Sequence, residues 1–391
     1  MQGIYFHIPY CLSKCRYCDF YSLGGSAAVP QEYVDALLRE LARLRWQLPG
    51  APDTLYFGGG TPSLLRPAQA ARLIDAARPA AGAEITLEAN PETLTPALMR
   101  GFLAAGVNRL SLGVQTAFDE SLRRMGRPHT AAQSRKALLW AREAGFANIS
   151  GDVMLALPGY TEKELTATLD LLQDGGCTHI SCYLLKLEPG TPWGEAPPEH
   201  LPDDDRAAGF YLACTDALAA RGYAQYEISN FAKPGFASRH NLLYWNCQHY
   251  LGLGPHAHSC LGGRRFFCPQ GTAQFLAGPA AYQQDGACTR EDYIMLQLRL
   301  SAGLSLRALK QGWGRGFSQR QMASLKHCAA MALPLLTATC CVFCRRACFC
   351  RTASCVNWCK MKKGGPPVRR LTHSISLCCG CSCVLSRHVI T

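Results

Sequence analysis

Tyr5-Phe6-His7-Ile8-Pro9-Tyr10-Cys11-Leu12-Ser13-Lys14-Cys15-Arg16-Tyr17-Cys18-Asp19-Phe20 decides the reading of this chain. Its cysteines, Cys11, Cys15 and Cys18, are spaced C-x3-C-x2-C, with an aromatic, Tyr17, before the last. A structural zinc site takes four ligands, which three thiolates in so short a run cannot supply. They can hold three irons of a [4Fe–4S] cluster, where each iron is normally bound by one thiolate, and leave the fourth open to a small molecule. The competing readings are three chance cysteines, or two zinc ligands and a bystander. Ile4, Phe6 and Ile8 alternate like a strand, so the cysteine loop follows a short first strand.

Outward from that loop, apolar strands alternate with amphipathic helices to about residue 220. Strands are expected at 3–8, 53–57, 85–89, 109–115, 149–155 and 179–185. In 31–47, Val34, Leu37, Leu38, Leu41 and Leu44 follow the i, i+3, i+4, i+7 rule behind Pro30. Helices are also expected at 66–78, 95–105, 131–144 and 162–174, with Gly106, Gly145 and Gly175-Gly176 at their ends. Six β/α units imply an α/β fold with a parallel sheet covered by helices, and six rather than eight an open, partial (β/α)6 TIM-like barrel. Chemistry in such barrels sits on the loops after the strands.

The motifs obey that rule. Gly58-Gly59-Gly60-Thr61-Pro62-Ser63 follows strand two, Glu88-Ala89-Asn90-Pro91-Glu92 ends strand three, Gly113-Val114-Gln115 ends strand four, and Asp152 lies in strand five. The glycines let backbone approach a ligand closely, or simply make a tight turn. Glu88, Gln115 and Asp152 suit hydroxyl and amino contacts, or loop amides. Arg127, in Gly126-Arg127-Pro128-His129, fits a carboxylate bidentately, or is a solvated helix-start arginine. His7 faces the barrel or packs in strand one. His240, His256 and His258 stand among aromatics and glycines, as haem or porphyrin contacts or as hydrogen-bonded core histidines closing the barrel mouth.

The 391 residues suffice for one large domain and a smaller one. The formal net charge is +12, from 40 basic and 28 acidic residues. Ten Lys and Arg and no acid lie from Lys326 on, leaving 30 basic against 28 acidic in residues 1–325. The excess belongs to the tail, so no nucleic-acid partner is inferred. Twelve of 22 cysteines lie from Cys328 on, at irregular spacings. A metal-binding tail and a membrane segment both fit poorly, since the apolar run at 328–344 is shorter than the roughly 20 residues of a span and Pro334 interrupts it. A shifted reading frame with its break near 328–333 fits best. No signal peptide is expected, and the location read for an oxygen-sensitive cluster is cytoplasmic.

On these residues the chain resembles the oxygen-independent coproporphyrinogen III oxidase family of radical S-adenosylmethionine (SAM) proteins, and within it the haem-chaperone branch. The resemblance runs from Ile4 to about 325 through Y-x-H-I-P-x-C-x3-C-x2-C, G-G-G-T-P-S, E-x-N-P-E, G-V-Q, G-R-x-H, D-x-M-x-x-L-P-G and H-N-x-x-Y-W. It implies a radical SAM barrel over 1–235 and the start of a mainly helical C-terminal region over 236–327, incomplete here; the tail over 328–391 is read from its composition as non-native. It implies a [4Fe–4S] cluster on Cys11, Cys15 and Cys18, with SAM on the open iron. Tyr5, Gly59, Gly60, Thr61, Glu88, Gln115, Arg127 and Asp152 match the positions that contact SAM in the family. His240, in His240-Asn241-Leu242-Leu243-Tyr244-Trp245, matches the stretch associated with haem binding in the chaperone branch.

The dehydrogenase branch carries another cysteine where this chain has Phe20, and a long segment before the cluster motif where this chain has ten residues. The implied function is a haem chaperone that carries haem as cargo to acceptor haemoproteins, membrane-associated ones among them, with an electron donor for the cluster. The alternative is a coproporphyrinogen III dehydrogenase that decarboxylates two propionates through a 5'-deoxyadenosyl radical. No catalytic residue is assigned.

Overall fold

The structure is a computed structural model that describes residues 1–319, 334–336 and 340–343. Six parallel strands form its centre: β1 (Gln2–Ile8), β2 (Thr54–Gly59), β3 (Glu84–Ala89), β4 (Arg109–Gln115), β5 (Asn148–Leu155) and β6 (His179–Leu184). Helices α1 (Gln31–Leu44), α2 (Pro67–Ala77), α3 (Pro96–Ala104), α4 (Asp119–Met125) with α5 (Ala131–Ala144), and α6 (Glu162–Asp174) connect them. All six expected strands form, 109–115 with the expected ends and the others with ends shifted by at most two residues. Gly145 caps α5 in the left-handed conformation, φ 104°.

The strands alternate with period two, and this alternation builds the site. In-register Phe6 and Phe57 stack at 4.9 Å on the outer face, where Ile4, Ile8, Leu55, Leu87, Leu110 and Val153 join the helices in the main core. Each such side chain removed from water contributes about 1.5–3 kcal/mol. The intervening residues, Tyr5, Tyr56, Glu88, Arg109, Ser111 and Asp152, fall on the inner face of the curved sheet. Its hollow is therefore polar.

Past β6 come α7 (Pro192–Glu195), α8 (Asp204–Ala220), β7 (Ala224–Gln225), β8 (Asn230–Ala232) and α9 (Arg239–Trp245). β9 (His249–Leu253), β10 (His258–Leu261), β11 (Arg264–Phe267), α10 (Thr272–Ala277), β12 (Gln283–Ala287), α11 (Arg290–Gln297), β13 (Leu304–Ser305) and α12 (Leu306–Trp313) follow. One twelve-stranded sheet runs β12-β11-β10-β9-β1-β2-β3-β4-β5-β6-β8-β7. Residues 236–319 thus add strands as well as helices, and the sheet runs across position 235. β9 pairs parallel to β1, Leu251 beside Ile4, a strand the sequence analysis did not anticipate. Two further strands, β14 (Pro334–Leu336) and β15 (Cys340–Phe343), join β13. The expected frame break near 328–333, and the tail apart from these strands, lie outside the described residues. No helix among the described residues is long and apolar enough to cross a membrane.

Candidate functional site at the barrel mouth

The loops after β1 to β6 gather at the C-terminal ends of the parallel strands. The first carries the three cysteines, all free and half-buried. Backbone hydrogen bonds clasp it: Cys11 N to Leu23 O (2.9 Å), Ser26 N to Cys11 O (2.9 Å), and Arg16 N to Met125 O (3.0 Å) at the end of α4. Burial pushes the Cys18 thiol up to about 11 and that of Cys15 upward, with Cys11 adding to both and Arg127 opposing.

A chain of side-chain hydrogen bonds ties this loop to the next ends. The Thr61 hydroxyl donates to Cys11 Sγ (3.5 Å), and Asn90 Nδ2 to Thr61 Oγ1 (3.1 Å). Arg127 Nη1 donates to Asn90 Oδ1 (2.9 Å), and its Nη2 to the Tyr17 hydroxyl (2.7 Å), which returns to the loop. Burial works against the Arg127 charge, but Tyr17, Cys15 and Glu92 more than offset it and hold the guanidinium protonated. The guanidinium is therefore engaged with the protein and is not a solvated helix-start arginine.

The triple glycine packs flat on β1. A Cβ on Gly59, at φ 112°, would fall 2.6 Å from the His7 ring, and one on Gly60 2.8 Å from Tyr10 O. Gly59 N donates to Glu88 Oε2 (3.1 Å) and the Tyr56 hydroxyl to Glu88 Oε1 (2.7 Å). Burial, reinforced by Asp152, still raises the Glu88 carboxyl to about 7. Asp152 accepts from Ser111 (3.3 Å) and is likewise raised by burial. Gln115 holds a left-handed backbone, φ 65°, and reaches Gly113 together with Asn90 and Arg127. The Tyr5 hydroxyl bonds His7 Nδ1 at 3.1 Å beneath this layer. The structure thus brings Gly60, Thr61 and Arg127 against the cysteine loop, with Tyr5, Gly59, Glu88, Gln115 and Asp152 on the strands that lead up to it.

His240 does not join them. Glu84, the first residue of β3, accepts from the backbone N–H groups of Arg239 and His240 (both 3.0 Å), which pins α9 beneath the N-terminal ends of the strands. Thr54 Oγ1 lies 2.7 Å from His240 Nδ1 and the Tyr244 hydroxyl 2.8 Å from Nε2. The ring is fully buried, and burial and then Arg109 hold it down to about 3. The structure places His240 on the floor of the barrel and not at the mouth expected from the sequence, with both ring nitrogens hydrogen-bonded. The reason is topological, because α9 precedes β9, which runs parallel to β1. His258 is also internal, in β10, against Phe267.

Sequence reasoning passed over Tyr56, Asn90 and Arg109. Asn90 lies inside the Glu88–Glu92 motif. Tyr56 and Arg109 stood on a strand's inner alternation, which was the available signal. Nε and Nη1 of Arg109 are buried inside the barrel without a hydrogen-bond partner among the described residues.

The Radical SAM superfamily model matches residues 5–172. The heme chaperone HemW of Bacillus subtilis is 35% identical over 351 residues, covering 85% of this chain and 92% of that protein. The chain belongs to the HemW family. HemW of Escherichia coli is 40% identical over 262 residues, 66% of this chain and 69% of that one. The E. coli coproporphyrinogen III oxidase HemN, a radical SAM enzyme, superposes with TM-score 0.77 over 91% of this chain and 89% of its own, at 22% identity, which shows the shared fold.

Radical SAM membership implies a [4Fe–4S] cluster and SAM. The donor set fits. Three free thiols share one clasped loop, and among the described residues no three Cys, His, Asp or Glu side chains converge on a single ion. A cluster that takes one thiolate per iron requires no such convergence.

Proposed function

We propose that this HemW-family chain binds haem and hands it to acceptor haemoproteins, using a [4Fe–4S] cluster on Cys11, Cys15 and Cys18 with SAM on its open iron. The observation that carries the reading is the clasped three-cysteine loop facing a rim of strand-end polar groups, in a chain 35–40% identical to heme chaperones. When bound, the cluster and SAM supply one-electron chemistry. The chain's own part is to hold and tune. Arg127 compensates the thiolates, Thr61 donates to Cys11, and Glu88 and Asp152 offer acceptors to SAM hydroxyl and amino groups, with Tyr5, Gly59, Gly60 and Gln115 completing the contact set. An external electron donor and acceptors that include membrane-bound haemoproteins complete the proposal, with the chain acting in the cytoplasm. Phe20, in place of a fourth nearby cysteine, supports a chaperone over a coproporphyrinogen dehydrogenase.

The test is anaerobic reconstitution, then hemin titration and transfer to an apo-haemoprotein, beside incubation with coproporphyrinogen III, SAM and a reductant. Haem uptake and transfer without protoporphyrinogen formation is expected. Efficient decarboxylation, or no haem uptake, overturns the reading.

A further inference from the structure

If haem rests at the mouth, something there must meet its iron. Seven of the eight histidines among the described residues are engaged or misplaced. Both nitrogens of His240 are used on the floor. His7 bonds Tyr5 and Tyr21 O, His129 bonds Glu92 and Val114 O, and His179 bonds Ser150 and Tyr226. His249 accepts from Gly262 N, His258 faces Asp285, and His200 projects into solvent, 76% exposed, beside Glu199.

His256 differs on every count. It follows β9, and because β9 runs parallel to β1 this loop emerges at the mouth, on the same side as the cysteines. Its ring is half-buried and makes no hydrogen bond among the described residues, so both nitrogens remain available. The ring stacks on Tyr21 at 4.3 Å, three residues beyond Cys18. Tyr21 is itself anchored, its hydroxyl accepting from Thr272 N at 2.8 Å. The backbone of His256 is locked by its N–H to Cys268 O (2.7 Å) in a left-handed conformation, φ 59°. A non-glycine residue there costs on the order of 1 kcal/mol, the kind of strain that gathers at ligand sites.

A second observation points to a flat apolar ligand at the same place. Seven large apolar side chains among the described residues are more than a third exposed, and three of them, Leu12, Phe20 and Leu23, stand on the cysteine loop around Tyr21. Lys14 and Arg16, both exposed, lie on the same loop, where propionates would want cations.

We propose that His256 is an axial ligand of the haem iron, with the porphyrin lying over Leu12, Phe20 and Leu23 beside the cluster loop. This rests on the haem-binding reading above. Neutral imidazole is the form that ligates iron, and burial lowers His256 below its ordinary range, so the ligand is ready at neutral pH.

The test uses the full chain, reconstituted anaerobically and titrated with hemin. His256→Gly is the informative variant, because glycine relieves the positive φ and keeps the fold. Its hemin affinity should fall about ten- to hundred-fold, its Soret band should move away from that of the wild type, and added imidazole should restore the wild-type band. His200→Ala should bind as the wild type does. A His256→Gly protein with unchanged band and affinity overturns the assignment while leaving haem binding intact. A wild-type protein that binds no hemin overturns haem binding itself, and the ligand with it.

Discussion

The mouth and the floor of this barrel share one inner sheet face and use similar residues to opposite ends. On the floor, His240, His179, Tyr226 and Tyr244 bond one another or strand-end hydroxyls, and burial drives both histidines far below their ordinary range. At the mouth, thiols are half-exposed, Glu88 is raised to about 7, and non-glycine residues take left-handed conformations at or just past strand ends, at Gln115, Ala156 and His256. The floor holds its groups in one charge state. The mouth leaves its thiols half-exposed to ligands, and brings the Glu88 carboxyl to a value near neutrality.

The sharpest way to break this contrast is at the cysteines. Replacing Cys11, Cys15 and Cys18 together by Ala should remove essentially all of the about four irons of the reconstituted cluster, with circular dichroism unchanged, because no thiol there supports the core. Four irons retained in that variant, by iron assay and EPR with added SAM, would place the cluster elsewhere.

The floor should answer oppositely. His240→Ala leaves Thr54 and the Tyr244 hydroxyl without their buried partner and opens a cavity, a cost of about 3 kcal/mol. Urea denaturation should show that loss, while the folded variant keeps the wild-type Soret band with hemin. A stable variant with an altered band would return His240 to the haem site.

Glu88 tests the titration. Its folded value of about 7 lies above the ordinary 4.5, so between these values the folded protein holds a proton that the unfolded chain has released. Stability must then fall as pH rises through that window. Glu88→Gln removes the slope, and should gain on the order of 1–2 kcal/mol over wild type at pH 8 relative to pH 5. SAM affinity of the wild type should rise as pH passes 7 and the carboxylate forms, and the variant should lose that rise. A pH-independent difference in denaturation midpoints would refute the buried, raised carboxyl.

Thr61→Val should have the smallest effect. It removes both the hydroxyl donated to Cys11 Sγ at 3.5 Å and the acceptor of Asn90 Nδ2 at 3.1 Å, costing about 1 kcal/mol. Losing a hydrogen bond to a ligating sulfur should lower the cluster's reduction potential, measurable by redox titration. An unchanged potential would mean that Thr61 serves only the loop.

Much of this protein was set by local sequence. The spacing of Cys11, Cys15 and Cys18 limits what metal group they can hold, and the alternation of Ile4, Phe6 and Ile8 with Tyr5 and His7 makes β1 apolar outside and polar inside. Helix periodicity placed α1 to α3, α5 and α6, because these signals act over a few residues, whereas the short α4 was not anticipated. The strand-end motifs were legible for the same reason: each polar residue follows an apolar run. What only the tertiary structure decided is which end of the barrel each later histidine occupies. His240 and His256 stand sixteen positions apart in similar aromatic and glycine-rich company, yet β9 lies between them. Its parallel pairing with β1, a contact across some 245 residues of chain, sends one to the floor and the other to the mouth. Arg109 was hidden in the same way, since a lone arginine opening an apolar strand acquires its meaning only when the sheet curves and closes Glu88, Asp152 and His240 around it.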